Sequence, residues 1–312
     1  MSSSTNYIFK YVTVCVMVLF SVSTHGQKLI DSIVLGNTPY MVKIANNGSE
    51  IFFACKDSTG GIYHLKTHKT IRLKGHVHSV SSIDYNNKTE TVLTGAYDNC
   101  AILWDKKGDI LAKLKGHTNG VVNVAQTDTY LGTASRDGTA KIWDKKGELL
   151  FTLIGHTKQV NAIEFLTKEN KIVTASWDGS IRFWSMRGKP LLSVSPNDSG
   201  IRCLSISEDG KTILAGHRNG SITLLDRNGK VLYSIEGHDE MVSEIQFYDK
   251  GQLISCGADT KIKIWDLKGN LKKEILKHKA WVSSIACSKG ILVSSGDYPE
   301  NKIYIWEFES HN

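Results

Sequence analysis

The 312-residue sequence has little proline, little cysteine and no long run of charges of one sign. Four prolines exclude Pro-rich linkers and collagen-like arrays. Six cysteines are too few for a disulfide scaffold, and the lack of any Cys-x-x-Cys pair excludes the usual zinc-ribbon and thioredoxin-type sites. Lys and Arg number 38 against 31 Asp and Glu, a net charge of +7. Because no block of five or six like charges occurs, no segment resembles a nucleic-acid-binding arm.

Motifs of common catalytic and metal chemistry are also missing. The sequence has no Gly-rich phosphate loop, no HExxH zinc motif and no EF-hand loop. Its Asp-Gly and Asp-x-Asn turns offer too few neighbouring acidic oxygens to hold calcium. We therefore expect no cofactor, no metal site and no catalytic residue.

Residues 1–26 differ in composition from the rest of the chain. One cation, Lys10, precedes the apolar run 11–22, and small or polar residues follow up to Gly26. This order is typical of a secretory signal peptide. Cleavage could follow Ser23 or Gly26, and the small residues Thr24 and Gly26 favour the second site. As a helix the run spans about 18 Å, short of a hydrocarbon core of about 30 Å. We predict a secreted or periplasmic protein without stable membrane insertion; the alternatives are an uncleaved anchor and a cytoplasmic protein whose N-terminus is not a signal.

The dominant feature is an internal repeat of about 40 residues. A Trp-Asp pair or a variant of it recurs every 39 to 41 residues, at Trp104, Trp143, Trp184, Leu225, Trp265 and Trp306. Gly-His pairs keep the same spacing, at His76, His117, His156 and His238. Short β-rich segments and tight turns fill each repeat, and no long apolar stripe with a helical period is present. Seven repeats account for residues 27–312, which we predict to be one domain.

These paired motifs resemble the WD40 repeat family, and the resemblance covers residues 28–308. It implies an all-β fold, a single closed seven-bladed β-propeller of four-stranded antiparallel blades. Each repeat would supply the outer strand of one blade and the inner three strands of the next. The strand-like segment 28–35 would then complete the last blade beside Trp306 and close the ring, which leaves no open sheet edge.

The family pattern gives the repeated histidines a structural role. It implies one buried network per blade, in which a His, a Ser or Thr, an Asp and a Trp are hydrogen-bonded. Four repeats contain the complete set, namely His76, Thr94, Asp98 and Trp104; His117, Thr133, Asp137 and Trp143; His156, Thr174, Asp178 and Trp184; and His238, Ser255, Asp259 and Trp265. The first, fifth and seventh repeats depart from it. A Ser-His-Asp hydrolase would need one such trio beside an oxyanion hole, not four copies around a ring.

The resemblance also implies a binding platform whose narrower top face receives peptides or protein surfaces. Positions that reach this face precede the turn Asp or start the innermost strands. The large aromatic, basic or thioether side chains at these positions are Tyr40, Lys56, Tyr97, Arg136, Trp177, Arg202, Arg218, Met241 and Trp281. Tyr, Trp and Arg are enriched in binding hot spots. Because none of the top-face positions read from the repeats carries an acid, we expect an acidic or phosphorylated partner segment.

The sequence therefore predicts a non-enzymatic protein- or peptide-binding scaffold, present as a monomer or as a subunit of a larger complex. We expect no nucleic-acid partner, because the small positive net charge is spread over the whole chain. The alternative function is an enzyme accessory or hydrolase-like propeller that uses the central channel as its active site.

Overall fold

The computed structural model describes residues 27–248 and 251–308. The predicted signal peptide, residues 1–26, lies outside the described residues. The described ranges contain 28 β-strands and one 3-10 turn, Thr167–Glu169. No helix in these ranges has the length and apolar character that crossing a bilayer requires.

The strands are short, between five and eight residues long. The first thirteen are β1 (Gln27–Val34), β2 (Pro39–Ile44), β3 (Glu50–Cys55), β4 (Thr59–His64), β5 (Lys69–Lys74), β6 (Val80–Asn86), β7 (Thr91–Ala96), β8 (Cys100–Asp105), β9 (Ile110–Lys115), β10 (Val121–Gln126), β11 (Tyr130–Ser135), β12 (Ala140–Asp144) and β13 (Leu149–Leu153). The others are β14 (Val160–Leu166), β15 (Lys171–Ser176), β16 (Ile181–Ser185), β17 (Pro190–Val194), β18 (Ile201–Ile206), β19 (Thr212–His217), β20 (Ser221–Asp226), β21 (Val231–Glu236), β22 (Val242–Tyr248), β23 (Gln252–Gly257), β24 (Ile262–Asp266), β25 (Leu271–Ile275), β26 (Val282–Ser288), β27 (Ile291–Gly296) and β28 (Lys302–Phe308).

These strands form seven four-stranded sheets, which are the blades of a propeller. Blades 1 to 6 are consecutive groups of four strands, from β2–β5 to β22–β25. Blade 7 combines β26, β27 and β28 with β1. The first strand of each group is the innermost, because innermost strands of neighbouring blades contact one another around the central channel. The predicted all-β, seven-bladed propeller is confirmed.

The ring closes through the pairing of the two ends of the described chain. Strand β1 is antiparallel to β28, with Leu29 opposite Trp306 and Ile33 opposite Ile303. Beyond the strand, the Leu35 N–H donates to the carbonyl oxygen of Asn301 at 3.1 Å. The predicted closing strand is therefore the outer strand of blade 7.

A cluster of buried apolar side chains lies between each pair of neighbouring blades. The cluster between blades 2 and 3, for example, joins Leu93 to Val121 and Trp143, and the one between blades 7 and 1 joins Ile303 to Phe53. Middle strands such as β3 and β7 are buried on both faces, which explains their nearly continuous apolar sequence. Each fully buried large side chain contributes about 1.5–3 kcal/mol to stability.

All seven innermost strands have a β-bulge near their N-terminal end. A bulge adds one residue to a strand and changes the direction of its side chain. The bulged residues are Tyr40, Ser81, Val122, Asn161, Arg202, Ser243 and Ser283. The bulges explain why side chains from seven different strands converge at one end of the channel.

Candidate functional site

The four predicted networks are each hydrogen-bonded in the structure. In blade 2, His76 Nδ1 lies 2.9 Å from Asp98 Oδ2, and His76 Nε2 lies 2.8 Å from Thr94 Oγ1. The Trp104 Nε1–H donates to the same hydroxyl oxygen at 2.8 Å. The carboxylate beside Nδ1 assigns the imidazole proton to that nitrogen. The four side chains thus satisfy one another inside the blade.

Blade 3 repeats this geometry around the hydroxyl of Thr133. His117 Nε2 lies 2.7 Å from Thr133 Oγ1, and His117 Nδ1 lies 2.7 Å from Asp137 Oδ2. The Trp143 Nε1–H donates to Thr133 Oγ1 at 3.0 Å. Only 1% of the surface of Thr133 is exposed, so this hydroxyl is a structural link within the blade.

Blade 6 has a serine, Ser255, in the place of the threonine. His238 Nε2 lies 2.8 Å from Ser255 Oγ, and His238 Nδ1 lies 2.9 Å from Asp259 Oδ1. The Trp265 Nε1–H donates to Ser255 Oγ at 2.9 Å. Ser255 is fully buried. Neither Ser255 nor its blade 3 counterpart Thr133 is therefore available as a nucleophile or as a partner-binding residue.

Blade 4 shows how the network affects protonation. His156 Nδ1 lies 2.9 Å from Asp178 Oδ2, and burial lowers the pKa of this histidine. Burial opposes ionisation of Asp178, but hydrogen bonds from Ser180 and from the Thr157 N–H outweigh it and lower the pKa of this carboxyl to about 2. In all four networks the histidine side chain has at most 1% of its surface exposed, so these imidazoles are closed to a substrate.

Blade 7 completes its network with a glutamate in place of the aspartate. His278 Nδ1 lies 2.7 Å from Glu300 Oε2, and His278 Nε2 lies 2.8 Å from Ser294 Oγ, which also accepts a hydrogen bond from Trp306 Nε1. The sequence reasoning missed Glu300, although it follows His278 by 22 residues, the same separation as between the His and the Asp of blade 2.

Blades 1 and 5 use other polar contacts at the corresponding places. In blade 1, His64 replaces the Trp and lies 3.1 Å from Glu50, which also pairs with Lys106 of blade 2 at 2.8 Å. In blade 5, the Asn197 amide donates to Ser221 Oγ at 3.2 Å. Both blades therefore keep polar connections without the four-residue set.

A cavity of about 400 Å³ lies at the N-terminal ends of the innermost strands, and we call it the mouth. Seven of the nine predicted partner residues line it, namely Tyr40, Tyr97, Arg136, Trp177, Arg202, Met241 and Trp281. The other lining residues are Ser81, Val122, Gln159, Asn161, Ser283 and Asp297. The sequence thus located most of the mouth, because the repeat period fixes which residue of each blade reaches it.

Backbone hydrogen bonds hold the residues that follow each second strand beside the mouth. The N–H groups of Tyr97, Arg136 and Trp177 donate to carbonyl oxygens at the start of their own blade's innermost strand, at 3.0, 3.0 and 3.1 Å. The backbone that carries these side chains is therefore held in place before a ligand binds.

Two predicted residues, Lys56 and Arg218, do not line the mouth. The Arg218 guanidinium lies over the Trp177 ring, 4.7 Å from its centroid, and thus borders the cavity. The Lys56 side chain is exposed, and its backbone carbonyl accepts a hydrogen bond from Ser79 Oγ at 2.8 Å. These two residues belong to the rim.

Aromatic rings position two of the three arginines at the mouth and its rim, Arg136 and Arg218. Arg136 stacks on Tyr97 at 4.1 Å, as Arg218 does on Trp177. Within the described part of the chain, the guanidinium groups of Arg136, Arg202 and Arg218 make no hydrogen bond or ion pair. Stacking orients a guanidinium and leaves its N–H groups free to bind a carboxylate or phosphate.

The indole N–H groups of the two mouth tryptophans differ. Trp281 Nε1 donates to Ser243 Oγ. Trp177 Nε1 is buried and has no hydrogen-bond partner among the residues that the structure describes. An unsatisfied buried donor costs about 1–3 kcal/mol, and such groups are rare in native structures. The buried indole N–H of Trp177 is therefore a hydrogen-bond donor that the packing of the described residues leaves unused.

One acid, Asp297, lines the mouth, which corrects the expectation that no acid is present. The Asp297 N–H donates to the carbonyl oxygen of Trp281 at 2.9 Å, so this residue is the blade 7 counterpart of Tyr97 and Trp177. The longer turn of the seventh repeat hid this equivalence in the sequence. Three arginines still outnumber the one aspartate around the opening.

Below the mouth, the channel narrows and its lining changes from basic to acidic. Lys43, Asp84, Glu164 and Glu244 line this part together with Arg202. Burial raises the pKa of Glu164 to about 8, and the nearby carboxylates of Asp84 and Glu244 act in the same direction against Lys43. Within residues 27–248 and 251–308, no three His, Cys, Asp or Glu side chains are grouped to hold a metal ion.

The five cysteines of the described ranges are free thiols. Cys55, Cys203 and Cys256 are buried. Burial raises the pKa of Cys55 and of Cys287 to about 12. Thiols with such pKa values are protonated at neutral pH and therefore poor nucleophiles.

Comparison with protein families gives two matches. Residues 105–312 match the model described as IFT122 first beta-propeller. Residues 66–105 match the model described as WD domain, G-beta repeat. Among solved structures, the crystal structure of the WD40 beta propeller domain of Doa1 is similar, with a TM-score of 0.83 and 25% sequence identity. The superposition covers 92% of this chain and 98% of that one.

Two curated relatives each match a short stretch of the chain. The Ribosome biogenesis protein WDR12 homolog of Nematostella vectensis is 54% identical over 33 residues, which are 11% of this chain and 8% of that protein. The Mitogen-activated protein kinase kinase kinase A of Dictyostelium discoideum is 31% identical over 106 residues, 33% of this chain and 11% of that protein. The chain therefore spans about a tenth of the length of these relatives.

Proposed function

Because the chain belongs to the WD40-type propeller family described as IFT122 first beta-propeller, we propose that it is a non-enzymatic scaffold that binds an acidic or phosphorylated protein segment in its mouth. WD40 propellers generally bind protein partners. The finer proposal, the charge and location of the partner segment, rests on this chain's own residues.

The observation that supports the proposal is the set of three unpaired arginines around an aromatic cavity. Arg136 and Arg218 are each stacked on a ring, and Arg202 lies deeper, where the mouth meets the narrow channel. Charge-assisted hydrogen bonds from guanidinium to carboxylate or phosphate are about twice as strong as neutral ones. Aromatic walls add buried area and exclude water from these bonds.

The proposal can be tested on a peptide array that contains sequence-matched acidic, phosphorylated, neutral and basic peptides. We expect the full chain to bind acidic and phosphorylated peptides, and the Trp177→Ala/Arg218→Ala variant to lose this binding. Each residue, as a hot spot, would contribute about 1–4 kcal/mol. Binding should also weaken with added salt, because screening acts on the charged rim.

Leu191→Ala is the matched control, because this exposed apolar residue lies on the outer strand of blade 4, away from the mouth. It should bind the array as the wild type does. A preference of the wild type for neutral or basic peptides would refute the proposed charge of the partner.

The second part of the proposal is export from the cytoplasm, with residues 1–26 removed as a signal peptide and the scaffold active as a monomer or as a subunit of a larger complex. Its support is the order of Lys10, an apolar run and small residues in the sequence. N-terminal sequencing of the expressed protein should find a first residue between Thr24 and Lys28. Soluble cytoplasmic protein that retains an intact Met1 would refute export.

A further inference from the structure

A second cavity, which we call the lower cavity, opens at the other end of the channel. It has a volume of about 610 Å³ and lies where the innermost strands of blades 2, 3 and 4 end. Two of its acidic lining residues, Asp84 and Glu164, also line the narrow channel. The mouth and the lower cavity are therefore two ends of one channel, with different linings.

The lower cavity has fixed apolar walls. Tyr130, Phe165 and Met186 are partly buried and pack on the core between blades 3 and 4, and all three line the cavity. Tyr85 lines it from blade 2 and is held by stacking on Phe52, with 4.1 Å between ring centroids. Three aromatic rings and a thioether thus present carbon surface to the same space.

At the inner end of these walls lie carboxyl groups with unused hydrogen-bonding capacity. Glu164 is half-buried, and among the described residues its carboxyl makes no hydrogen bond or ion pair. Asp84 Oδ2 accepts from the Gln126 N–H at 2.9 Å, and the Tyr85 N–H also acts on this carboxyl, so its hydrogen-bonding capacity is partly used. Behind them in the narrow channel, Glu244 is 7% exposed, and its carboxyl likewise has no partner in the described part of the chain.

We propose that the lower cavity binds a primary alkylammonium group, supplied by a lysine side chain or by a free amine. The alkyl chain would lie along Tyr85, Phe165 and Met186, and the ammonium would donate to Glu164 and Asp84. An ammonium is a compact charge with three donors, so it can donate to carboxyls on two different strands at once.

Aromatic walls suit this ligand for a second reason. Ring faces attract cations, and the stem of a lysine or an alkylamine buries carbon surface, which is favourable by about 0.8 kcal/mol per methylene. The neighbouring Asp128 is already paired with Lys88 at 2.6 Å. The Asp128 side chain is 45% exposed and so lies at the outer rim, and Glu164 with Asp84 forms the anionic end of the cavity.

Binding should become tighter as the pH rises. Because the pKa of Glu164 is raised to about 8, this carboxyl must release a proton before it can pair with an ammonium. Lys145 Nζ donates to Gln126 Oε1, and burial lowers the pKa of this lysine to about 8. The positive charge of Lys145, which competes with the ligand's ammonium, is therefore also lost as the pH rises. The other charged groups facing the channel are Lys43, Asp84, Arg202 and Glu244. An alkylammonium stays charged up to about pH 10.

Isothermal titration calorimetry of the full chain with n-pentylammonium chloride tests this site. We expect affinity to rise about tenfold between about pH 6 and pH 9, with proton release on binding that shows as a dependence of the heat on the buffer. Glu164→Gln and Asp84→Asn should each weaken binding about tenfold. Glu208→Gln, at an exposed glutamate of blade 5, should leave it unchanged. The neutral isostere 1-pentanol should bind at least tenfold more weakly than the amine.

A capped lysine peptide and its norleucine counterpart distinguish the two sources of the amine. Binding of pentylammonium but not of the lysine peptide identifies a free amine as the ligand, and binding of both identifies a lysine side chain; each outcome supports the site. No binding of either amine up to about 10 mM, equal binding of 1-pentanol, or wild-type affinity in both carboxyl variants would overturn it. Melting temperatures of the two variants establish that they are folded.

Discussion

A chain that begins at Gly36 should be several kcal/mol less stable than one that begins at Gln27, and it should aggregate. The shorter chain lacks β1, which pairs along its length with β28. Its loss also removes Leu35, which is 5% exposed in the core between blades 7 and 1. Strand β28 would become an open edge, and unpaired edges promote association between chains.

Urea denaturation and light scattering of the two chains measure this effect. The chain that begins at Gln27 serves as the control, because it retains every residue of β1. Since the total stability of a domain is only about 5–15 kcal/mol, several kcal/mol is a large fraction of it. Equal unfolding midpoints together with monodisperse scattering of the shorter chain would show that closure contributes little.

Replacing His156 by Ala should lower the free energy of unfolding by about 1–3 kcal/mol. The substitution leaves the Thr174 hydroxyl and the Asp178 carboxylate without their imidazole partner, at 2.9 Å from each in the intact blade. Thr174 is fully buried, so its hydroxyl has no direct access to solvent. Thr157→Ala is the matched control. Thr157 is exposed and follows His156, and the alanine keeps the backbone N–H that donates to Asp178. This control should change the free energy of unfolding by less than about 0.5 kcal/mol.

The loss of unfolding free energy caused by His156→Ala should be larger at neutral pH than in mild acid. Burial lowers the pKa of His156 below its ordinary value of 6.5, so the unfolded chain binds a proton that the folded chain refuses. The wild type therefore loses stability as the pH falls from 6.5 through the lower folded value, and the variant lacks this loss. Denaturation midpoints at about pH 7 and pH 5 check the sign; a deficit that grows in acid would contradict the buried neutral imidazole.

Much of this fold was predictable because its constraints repeat locally. One period of about 40 residues gave the blade count, and fixed separations within it predicted the network members of each blade. Thr133 and Ser255, for example, each lie ten residues before the Trp whose indole N–H they accept, as the structure shows. The same period located most residues of the mouth. A repeat places corresponding side chains at corresponding points of a ring, so position in the repeat predicts position on a face.

The residues that sequence reasoning missed depend on the closed ring or on an irregular repeat. Asp84, Glu164 and Glu244 come from three blades, and nothing in their local sequences shows that they meet at one axis. Asp297 and Glu300 lie in a lengthened turn. Glu300 keeps the regular separation from its histidine but replaces the expected aspartate, so a search for the family's Asp misses it. Charge in the channel is therefore a tertiary property, whereas the networks within each blade are a property of the repeat.

The measurement that tests the binding face most directly is a paired determination of melting temperature and affinity for an acidic phosphopeptide, made on Trp177→Ala and His156→Ala. Trp177→Ala should melt as the wild type does and bind about 1–4 kcal/mol more weakly. His156→Ala should melt earlier and, at a temperature where it is folded, bind normally. The opposite pattern, with normal binding by Trp177→Ala and lost binding by a fully stable His156→Ala, would place the site at the imidazole network and not at the mouth.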